Sequence, residues 1–187
     1  VDTLGWRGKF GVITPSTNTV VQPEYDAICP AGVTTHIGRM HIPDDPISSD
    51  GDFDELIRRI DVALEDAVKR VMTCKPDYFV LGISSESIWG GGLEKAQEIV
   101  KRMEPLLNGV QVSQAADALP AALKAFDVKK KISVVTPYFP VAEPHIQQFA
   151  ADIGYEIVKT YHMSCKSPTL IAHTSEDQCW DCLLYTS

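Results

Sequence analysis

The sequence lacks the hallmarks of several large protein classes. Its 187 residues carry 17 basic and 25 acidic side chains, which gives a formal net charge of −8. A protein that binds duplex nucleic acid or an anionic membrane surface needs a basic face, so this balance argues against both partners. No apolar run approaches the roughly 18 to 20 residues of a membrane span. We therefore expect a globular protein with no nucleic-acid partner and no membrane partner.

Signals for export, disulfide pairing and metal binding are equally scarce. Residues 1–7 lack the basic-then-apolar layout of a secretory signal. The five cysteines are an odd number in a chain that is not short enough to need stapling. The five histidines show no metal-ligand spacing. These features predict a cytoplasmic protein with reduced thiols and no metal site.

Short apolar runs alternate with amphipathic stretches along most of the chain. Strands are predicted at 9–13, 32–37, 77–82, 110–113, 131–135 and 155–161, and helices at 20–28, 52–72, 93–107, 117–126 and 143–153. This alternation predicts an α/β fold with parallel sheets. The third strand is nearly all apolar, as a strand buried on both faces should be. Residues 179–187 break the pattern, and a native end and a non-native tail both fit them.

Three predicted strand ends carry small polar side chains rather than charged ones. They are the stretches Thr14–Thr19, Ile83–Gly92 and Thr136–Tyr138. In open parallel sheets ligands bind beyond the carboxyl ends of the strands, and each stretch leads toward a helix whose first N–H groups favour an anion. The uncharged donors could therefore hold a carboxylate, or stabilise an enediolate as an oxyanion hole does.

A structural interpretation of the same residues competes with this one. Ser, Thr and Asn before a helix are the preferred N-caps, and each cap contributes about 1 kcal/mol. Arg39 could clamp a carboxylate or be a solvated charge, and Glu86 could be a general base or a solvated loop residue. Cys179 and Cys182 have thioredoxin-like spacing but do not follow a strand, which argues against redox catalysis. The convergence of three polar strand ends favours a binding site.

Three segments resemble a known family. Phe10–Thr19, Gly82–Ser87 and Val135–Tyr138, in this order, resemble the maleate cis-trans isomerase and arylmalonate decarboxylase branch of the aspartate/glutamate racemase superfamily. The resemblance runs from about residue 9 to residue 178. It implies two flavodoxin-like lobes related by pseudo-symmetry, with the active site in the cleft between them. It also implies no cofactor, no metal, a small carboxylate or dicarboxylate substrate, and subunits that often pair into a homo-oligomer.

Carried over by position, the resemblance also implies lobe boundaries and residue roles. The first lobe would span 1–114 and a partial second lobe 115–178, with 179–187 as a tail that need not be native. The implied substrate-binding residues are Pro15, Ser16, Asn18, Ser84, Ser85 and Tyr138. The last three of these are also the implied catalytic residues.

One departure from the family pattern distinguishes between the activities found in that family. The racemases and maleate isomerases carry a cysteine after the third strand, where this chain has Ile83. The decarboxylases also lack that cysteine and protonate the enediolate with a second one, which would lie beyond residue 178. Cys165 comes too early to match it, and Cys179 and Cys182 are not in the expected setting. The resemblance therefore implies an arylmalonate decarboxylase-like enzyme that acts through an enediolate, whose proton donor would lie beyond this chain.

Three alternatives stay open at this stage. One is a maleate cis-trans isomerase or related racemase. A second is a carboxylate-binding protein that performs no chemistry. A third is a generic flavodoxin-like domain with a flavin or phosphate ligand, which the same strand-end geometry permits.

Overall fold

The first four strands form one parallel sheet. A computed structural model describes residues 2–88 and 92–186, except for the side chains of residues 86 and 184–186. The strands are β1 (Gly8–Pro15), β2 (Val33–Met40), β3 (Tyr78–Leu81) and β4 (Val112–Ser113). Their order across the sheet is β2-β1-β3-β4, so the carboxyl ends of β1 and β3 lie side by side.

A second, smaller parallel sheet follows in the chain. It pairs β5 (Lys131–Thr136) with β6 (Glu156–His162), with a register shift between Ile132 and Ser133. The two parallel sheets confirm the predicted α/β architecture. A lobe boundary at residue 114 agrees with the division into sheets but stays a prediction.

Helices connect the strands. They are α1 (Val21–Ile28), α2 (Asp50–Met72), α3 (Ser85–Ile88), α4 (Gly92–Leu107), α5 (Ala115–Ala125), α6 (Glu143–Asp152), α7 (Pro168–Ala172) and α8 (Glu176–Thr186), with a 3₁₀ turn at Pro140–Ala142. Within the described part of the chain, no helix is both long enough and apolar enough to cross a membrane.

Helix α2 is the main support of the first sheet. Its start is fixed by a capping box: the Ser49 hydroxyl accepts from the Asp52 N–H, and the Asp52 carboxylate accepts from the Ser49 N–H at 3.0 Å. One face of the helix is buried in the core through Phe53, Leu56, Ile57, Ile60, Leu64, Ala67, Val68 and Val71. Gly38 of β2 permits this approach, since a Cβ there would overlap the Val71 side chain.

Three sequence-based expectations need correction. Strand β3 is not buried on both faces, because Tyr78 is 51% exposed and stacks on Phe10 at 5.3 Å. Strand β4 is shorter than predicted, because the turn after α4 still includes Val110, whose N–H donates to the Leu107 carbonyl at 2.9 Å. Residues 179–186 are helical as part of α8, which follows α7 with no strand between them, and a native or non-native origin of this end stays a prediction.

The two sheets are joined by contacts that bring their loops together. The Asp152 carboxylate at the end of α6 accepts from the Leu93 N–H in the first turn of α4, at 3.0 Å. The Ile47 N–H donates to the Lys166 carbonyl at 2.7 Å. These contacts place the segment that contains α7 over the carboxyl edge of the first sheet.

Candidate carboxylate-binding site

A cavity of about 420 Å³ lies at the carboxyl ends of β1, β3 and β4. Its apolar lining is Pro15, Val21, Ile42, Phe53, Leu56, Ile57, Ile60, Val80, Leu81, Gly82, Ile83, Ala115, Ala118, Pro168, Ile171 and Ala172. Its polar lining is Thr17, Asn18, Tyr25, Ser84, Ser85, Ser113, Gln114 and Tyr138. Among these described residues there is no lysine, arginine, histidine, cysteine or carboxylate. The cavity is therefore an apolar chamber with uncharged hydrogen-bonding groups.

The hydroxyl groups of Ser84 and Tyr138 lie close together in this cavity. The Ser84 Oγ lies 2.6 Å from the Tyr138 hydroxyl oxygen, a short distance even for two hydroxyl groups. Ser84 follows β3 on an exposed turn, whereas Tyr138 follows β5 and is only 8% exposed. The Tyr138 ring packs on Phe53 of α2 with 5.3 Å between centroids, which fixes the direction of the phenol. Groups from both sheets thus meet in the cavity.

Ser85 completes this turn. It is 4% exposed and lines the cavity at the first position of α3. The Ser87 hydroxyl donates to the Ser84 carbonyl at 3.2 Å and holds the turn closed. The local sequence explains the shape, because short hydroxyl side chains satisfy backbone groups where a strand gives way to a helix.

Asn18 combines a structural role with its place in the cavity. Its side-chain Oδ1 accepts from the Val20 N–H at 2.9 Å and from the Val21 N–H at 3.0 Å, as in an Asx turn. The capping interpretation therefore accounts for the Asn18 oxygen. The side-chain amide nitrogen is the group that remains to donate to a ligand.

Arg39 supports this turn from outside the cavity. Its guanidinium donates to the Asn18 carbonyl at 2.8 Å and to the Gln22 side-chain oxygen at 3.1 Å. Arg39 is not among the residues that line the cavity. The hydrogen bonds of Arg39 therefore hold the Asn18 turn against the end of β2.

Ser16 is the one implied site residue that the structure leaves outside the cavity lining. Its hydroxyl accepts from the Ile42 N–H at 2.9 Å and donates to the Ile42 carbonyl at 3.2 Å. Both contacts tie the end of β1 to the segment after β2. The structure brings together Pro15, Asn18, Ser84, Ser85 and Tyr138.

Sequence reasoning missed three polar residues of the cavity. Ser113 is the last residue of β4 and Gln114 follows it, at a fourth strand end on the same sheet edge, where the strand-end rule would have found both. Tyr25 on α1 also lines the cavity, and no pattern in the sequence marks it. Burial raises the pKa of the Tyr25 phenol, assisted by Cys29 and Glu24, so this group is neutral at physiological pH.

A partly buried contact between a carboxylate and an imidazole lies away from this cavity. Glu143 bonds the His162 Nε2 at 2.8 Å and accepts from Gln147 and Thr160. Burial opposes ionisation of Glu143, but the hydrogen bonds from Gln147, His162 and Thr160 outweigh it and lower the carboxyl pKa. The Glu86 side chain and Trp89 lie outside the described parts of the structure. Within those parts, no group of histidine, cysteine and carboxylate side chains could hold a metal ion.

Comparison with known proteins adds to this geometry. No protein-family model matches the sequence, and no curated protein matches it significantly. Among solved structures, maleate cis-trans isomerase from Nocardia farcinica bound to TRIS is similar with a TM-score of 0.78 at 19% identity, over 95% of this chain and 72% of that one. The Pseudomonas putida S16 maleate isomerase variant C200A with maleate gives 0.75 at 18% identity, over 94% and 71%.

Solved structures from the decarboxylase branch of the implied family are also similar to this chain. Unliganded arylmalonate decarboxylase is similar with a TM-score of 0.64 at 15% identity, over 95% of this chain and 70% of that one. Identities this low establish the three-dimensional arrangement of the chain and not its chemistry. The resemblance inferred from three strand-end motifs is thus confirmed for the fold: this chain has the architecture shared by maleate cis-trans isomerases and arylmalonate decarboxylases.

Proposed function

We propose that the protein is a cofactor-independent enzyme that acts on a small carboxylate through an enediolate, with chemistry like that of arylmalonate decarboxylase. The observation that carries the proposal is the 2.6 Å contact between the Ser84 and Tyr138 hydroxyls, in an uncharged cavity at the carboxyl edge of the sheet. Each hydroxyl can turn its hydrogen toward an incoming oxygen. The fold, shared with enzymes named for acting on maleate and arylmalonate, supports the same conclusion.

The cavity offers the electrostatics that such a reaction needs. When a malonate loses carbon dioxide, the electron pair of the broken C–C bond spreads into the remaining carboxylate and forms an enediolate. Neutral donors from Ser84, Ser85 and Tyr138 would hold its oxygens as charge develops. One preorganised donor of this kind contributes roughly 3 kcal/mol of transition-state stabilisation, and apolar walls strengthen the effect. Protonation of the α-carbon completes the reaction, and the resemblance assigns it to a cysteine after residue 178.

Two observations favour decarboxylation over maleate isomerisation. Ile83 lines the cavity where the resemblance places the cysteine of the isomerases, and the described lining contains no thiol. Thiolate addition to maleate therefore lacks a nucleophile. The apolar side chains of Phe53, Leu56 and Ile60 would surround an aryl substituent, and about 420 Å³ lies in the range of cavities that hold ligands larger than a four-carbon diacid.

Proton NMR in heavy water tests this proposal, with the full-length protein that includes the cysteine implied by the resemblance. The substrate is 2-methyl-2-phenylmalonate, whose α-carbon carries no exchangeable hydrogen. We expect release of carbon dioxide and formation of 2-phenylpropionate with deuterium at the α-carbon, and no fumarate from maleate. An unchanged spectrum across a panel of substituted malonates would overturn the decarboxylase, and fumarate from maleate would instead establish the isomerase.

A carboxylate-binding protein without catalytic activity is the second candidate. It is favoured by the described cavity lining, which offers two phenols but no imidazole, thiol or carboxylate for proton transfer. Calorimetry combined with NMR separates the two functions. A binder would take up phenylacetate or phenylmalonate with measurable heat, return it unchanged, and lose affinity in Asn18→Ala.

A further inference from the structure

Gln114 is a buried polar residue of the cavity whose hydrogen bonding is incomplete. It lies between β4 and α5 and is 3% exposed. Its side-chain Nε2 donates to the Ala96 carbonyl of α4 at 3.2 Å. A backbone carbonyl can only accept, so this contact fixes which end of the amide is nitrogen and which is oxygen.

The other end of this amide has no partner. The Gln114 Oε1 is buried and makes no hydrogen bond to any described group. Buried polar atoms in folded proteins are almost always hydrogen-bonded, because an unpaired one loses its contact with water without compensation. Gln114 is one of the residues that line the cavity, so a ligand bound there can supply the missing donor.

The lining of the cavity defines the donor that this oxygen would take. The described lining residues, including Ser113 and Ala115 on either side of Gln114 in the chain, contain no lysine, arginine, histidine or carboxylate. A buried ammonium group would be unpaired among them and costly to desolvate, whereas a hydroxyl or an amide N–H needs only one acceptor. The complementary group is therefore a neutral donor.

The sheet register places this acceptor close to the carboxylate donors. Val80 of β3 pairs with Ser113 of β4, so Gln114 and the segment that leads to Ser84 leave neighbouring strand ends. Adjacent strands lie about 4.8 Å apart. A donor that reaches Gln114 would thus belong to the part of the ligand near its carboxylate.

We propose that Gln114 is a specificity-determining residue of the site, whose side-chain oxygen accepts a hydrogen bond from a hydroxyl or amide N–H of the substrate. The site then selects acids that carry such a neutral donor near the carboxylate. This inference rests on the proposed carboxylate-binding function and names the substrate class of that site.

Calorimetric titration with two matched acids tests the inference. Phenylacetate and mandelate share the aryl ring and the carboxylate, and mandelate adds one hydroxyl on the α-carbon. We expect one enantiomer of mandelate to bind wild-type protein about tenfold more tightly than phenylacetate, the usual size of one net hydrogen bond. In Gln114→Met, which keeps the side-chain length, the affinity ratio should fall to about one while phenylacetate still binds. In the control Gln111→Met, the same substitution at an exposed glutamine outside the cavity, the preference should stay as in wild type.

The possible results separate this inference from the proposed function. If phenylacetate binds and neither mandelate enantiomer is preferred, or if Gln114→Met keeps the preference, the inference is overturned and the carboxylate site stands. If no acid binds, the proposed function fails and this inference fails with it. Should Gln114→Met not fold, the ratio in wild-type protein still decides, together with the side-chain amide resonance of Gln114, which mandelate should shift and phenylacetate should not.

Discussion

The hydroxyl of Ser84 lies 2.6 Å from the hydroxyl of Tyr138, although 54 residues separate them in the sequence. Each follows the carboxyl end of a strand, one in the first sheet and one in the second. Their contact links the two sheets at the cavity. A carboxylate that enters would replace this neutral hydrogen bond with two charge-assisted ones, which are stronger.

Removing the Tyr138 hydroxyl should impair activity and leave the fold intact. Tyr138→Phe keeps the ring that packs on Phe53, so the melting temperature should change little. Loss of one donor to the enediolate should lower kcat/KM for 2-methyl-2-phenylmalonate roughly 100-fold. Steady-state kinetics and thermal unfolding measure the two effects. In the control Tyr78→Phe, where the tyrosine stacks on Phe10, kcat/KM should stay at the wild-type value. Wild-type kcat/KM in Tyr138→Phe would remove the phenol from the mechanism.

Two substitutions of Asn18 should separate turn formation from ligand binding. Asn18→Asp keeps a side-chain oxygen for the Val20 and Val21 N–H groups but replaces the amide donor with a negative charge. We expect near-wild-type stability and at least tenfold weaker phenylacetate binding, because like charges meet in the cavity. Asn18→Ala should lose affinity and also about 1 kcal/mol of unfolding free energy. Equal phenylacetate affinity in Asn18→Asp and wild type, measured by calorimetry, would show that Asn18 serves the turn alone.

The sequence predicts most of the secondary structure because hydrophobic periodicity records which faces are buried. Helix α2 was predicted from 52 and begins at Asp50, because the capping residue is Ser49 rather than a residue nearer the apolar stripe. The motifs that contain Asn18 and Ser84 also predict where the cavity lies, because parallel strands bring their carboxyl ends to one edge of the sheet.

Other features depend on tertiary contacts that leave no local mark. Ser16 sits in the same polar stretch as Asn18, yet its hydroxyl is taken up by the Ile42 backbone. Gln114 follows a strand of only two residues, Val112–Ser113, which is too short for periodicity to reveal. The 2.6 Å approach of Ser84 to Tyr138 is set by how the two sheets pack, and no motif encodes it.

Gly92 should tolerate no side chain. Its φ of +65° is rare for L-residues, and a Cβ there would overlap the Asp152 carboxylate that accepts from the Leu93 N–H. Gly92→Ala should therefore lower the unfolding free energy by about 2 kcal/mol or more, as urea titration would show. Gly51→Ala is the control, because the nearest atom to its Cβ is 3.8 Å away and its φ is not positive. It should be neutral or stabilising. Equal stability of the two variants would contradict the proposed packing of α4 on α6.

The ion pairs of Glu55 should make stability depend on acid pH. Hydrogen bonds from Arg58 and Arg59 lower the pKa of the Glu55 carboxyl from 4.5 to about 2. Because the pKa is lower in the folded state, Glu55 stabilises the fold above pH 4.5, and this contribution is lost as the pH falls toward 2. Glu55→Gln should therefore flatten the decline of unfolding free energy over that range, measured by urea titration at several pH values. Glu104→Gln, which removes the same charge from α4, is the control. Its unfolding free energy should decline more steeply with falling pH than that of Glu55→Gln. Parallel curves for the two variants would refute this role of Glu55.

A crystal structure of the protein with phenylacetate, an aryl acid that the proposed reaction does not consume, tests the central claim most directly. We expect the phenyl ring to pack against Phe53 and Leu56, and the carboxylate to lie within about 3.2 Å of the Ser84 and Tyr138 hydroxyls. The two hydroxyls should then have exchanged their mutual hydrogen bond for bonds to the ligand. A ligand bound outside this cavity, with the Ser84–Tyr138 contact unchanged at 2.6 Å, would contradict it.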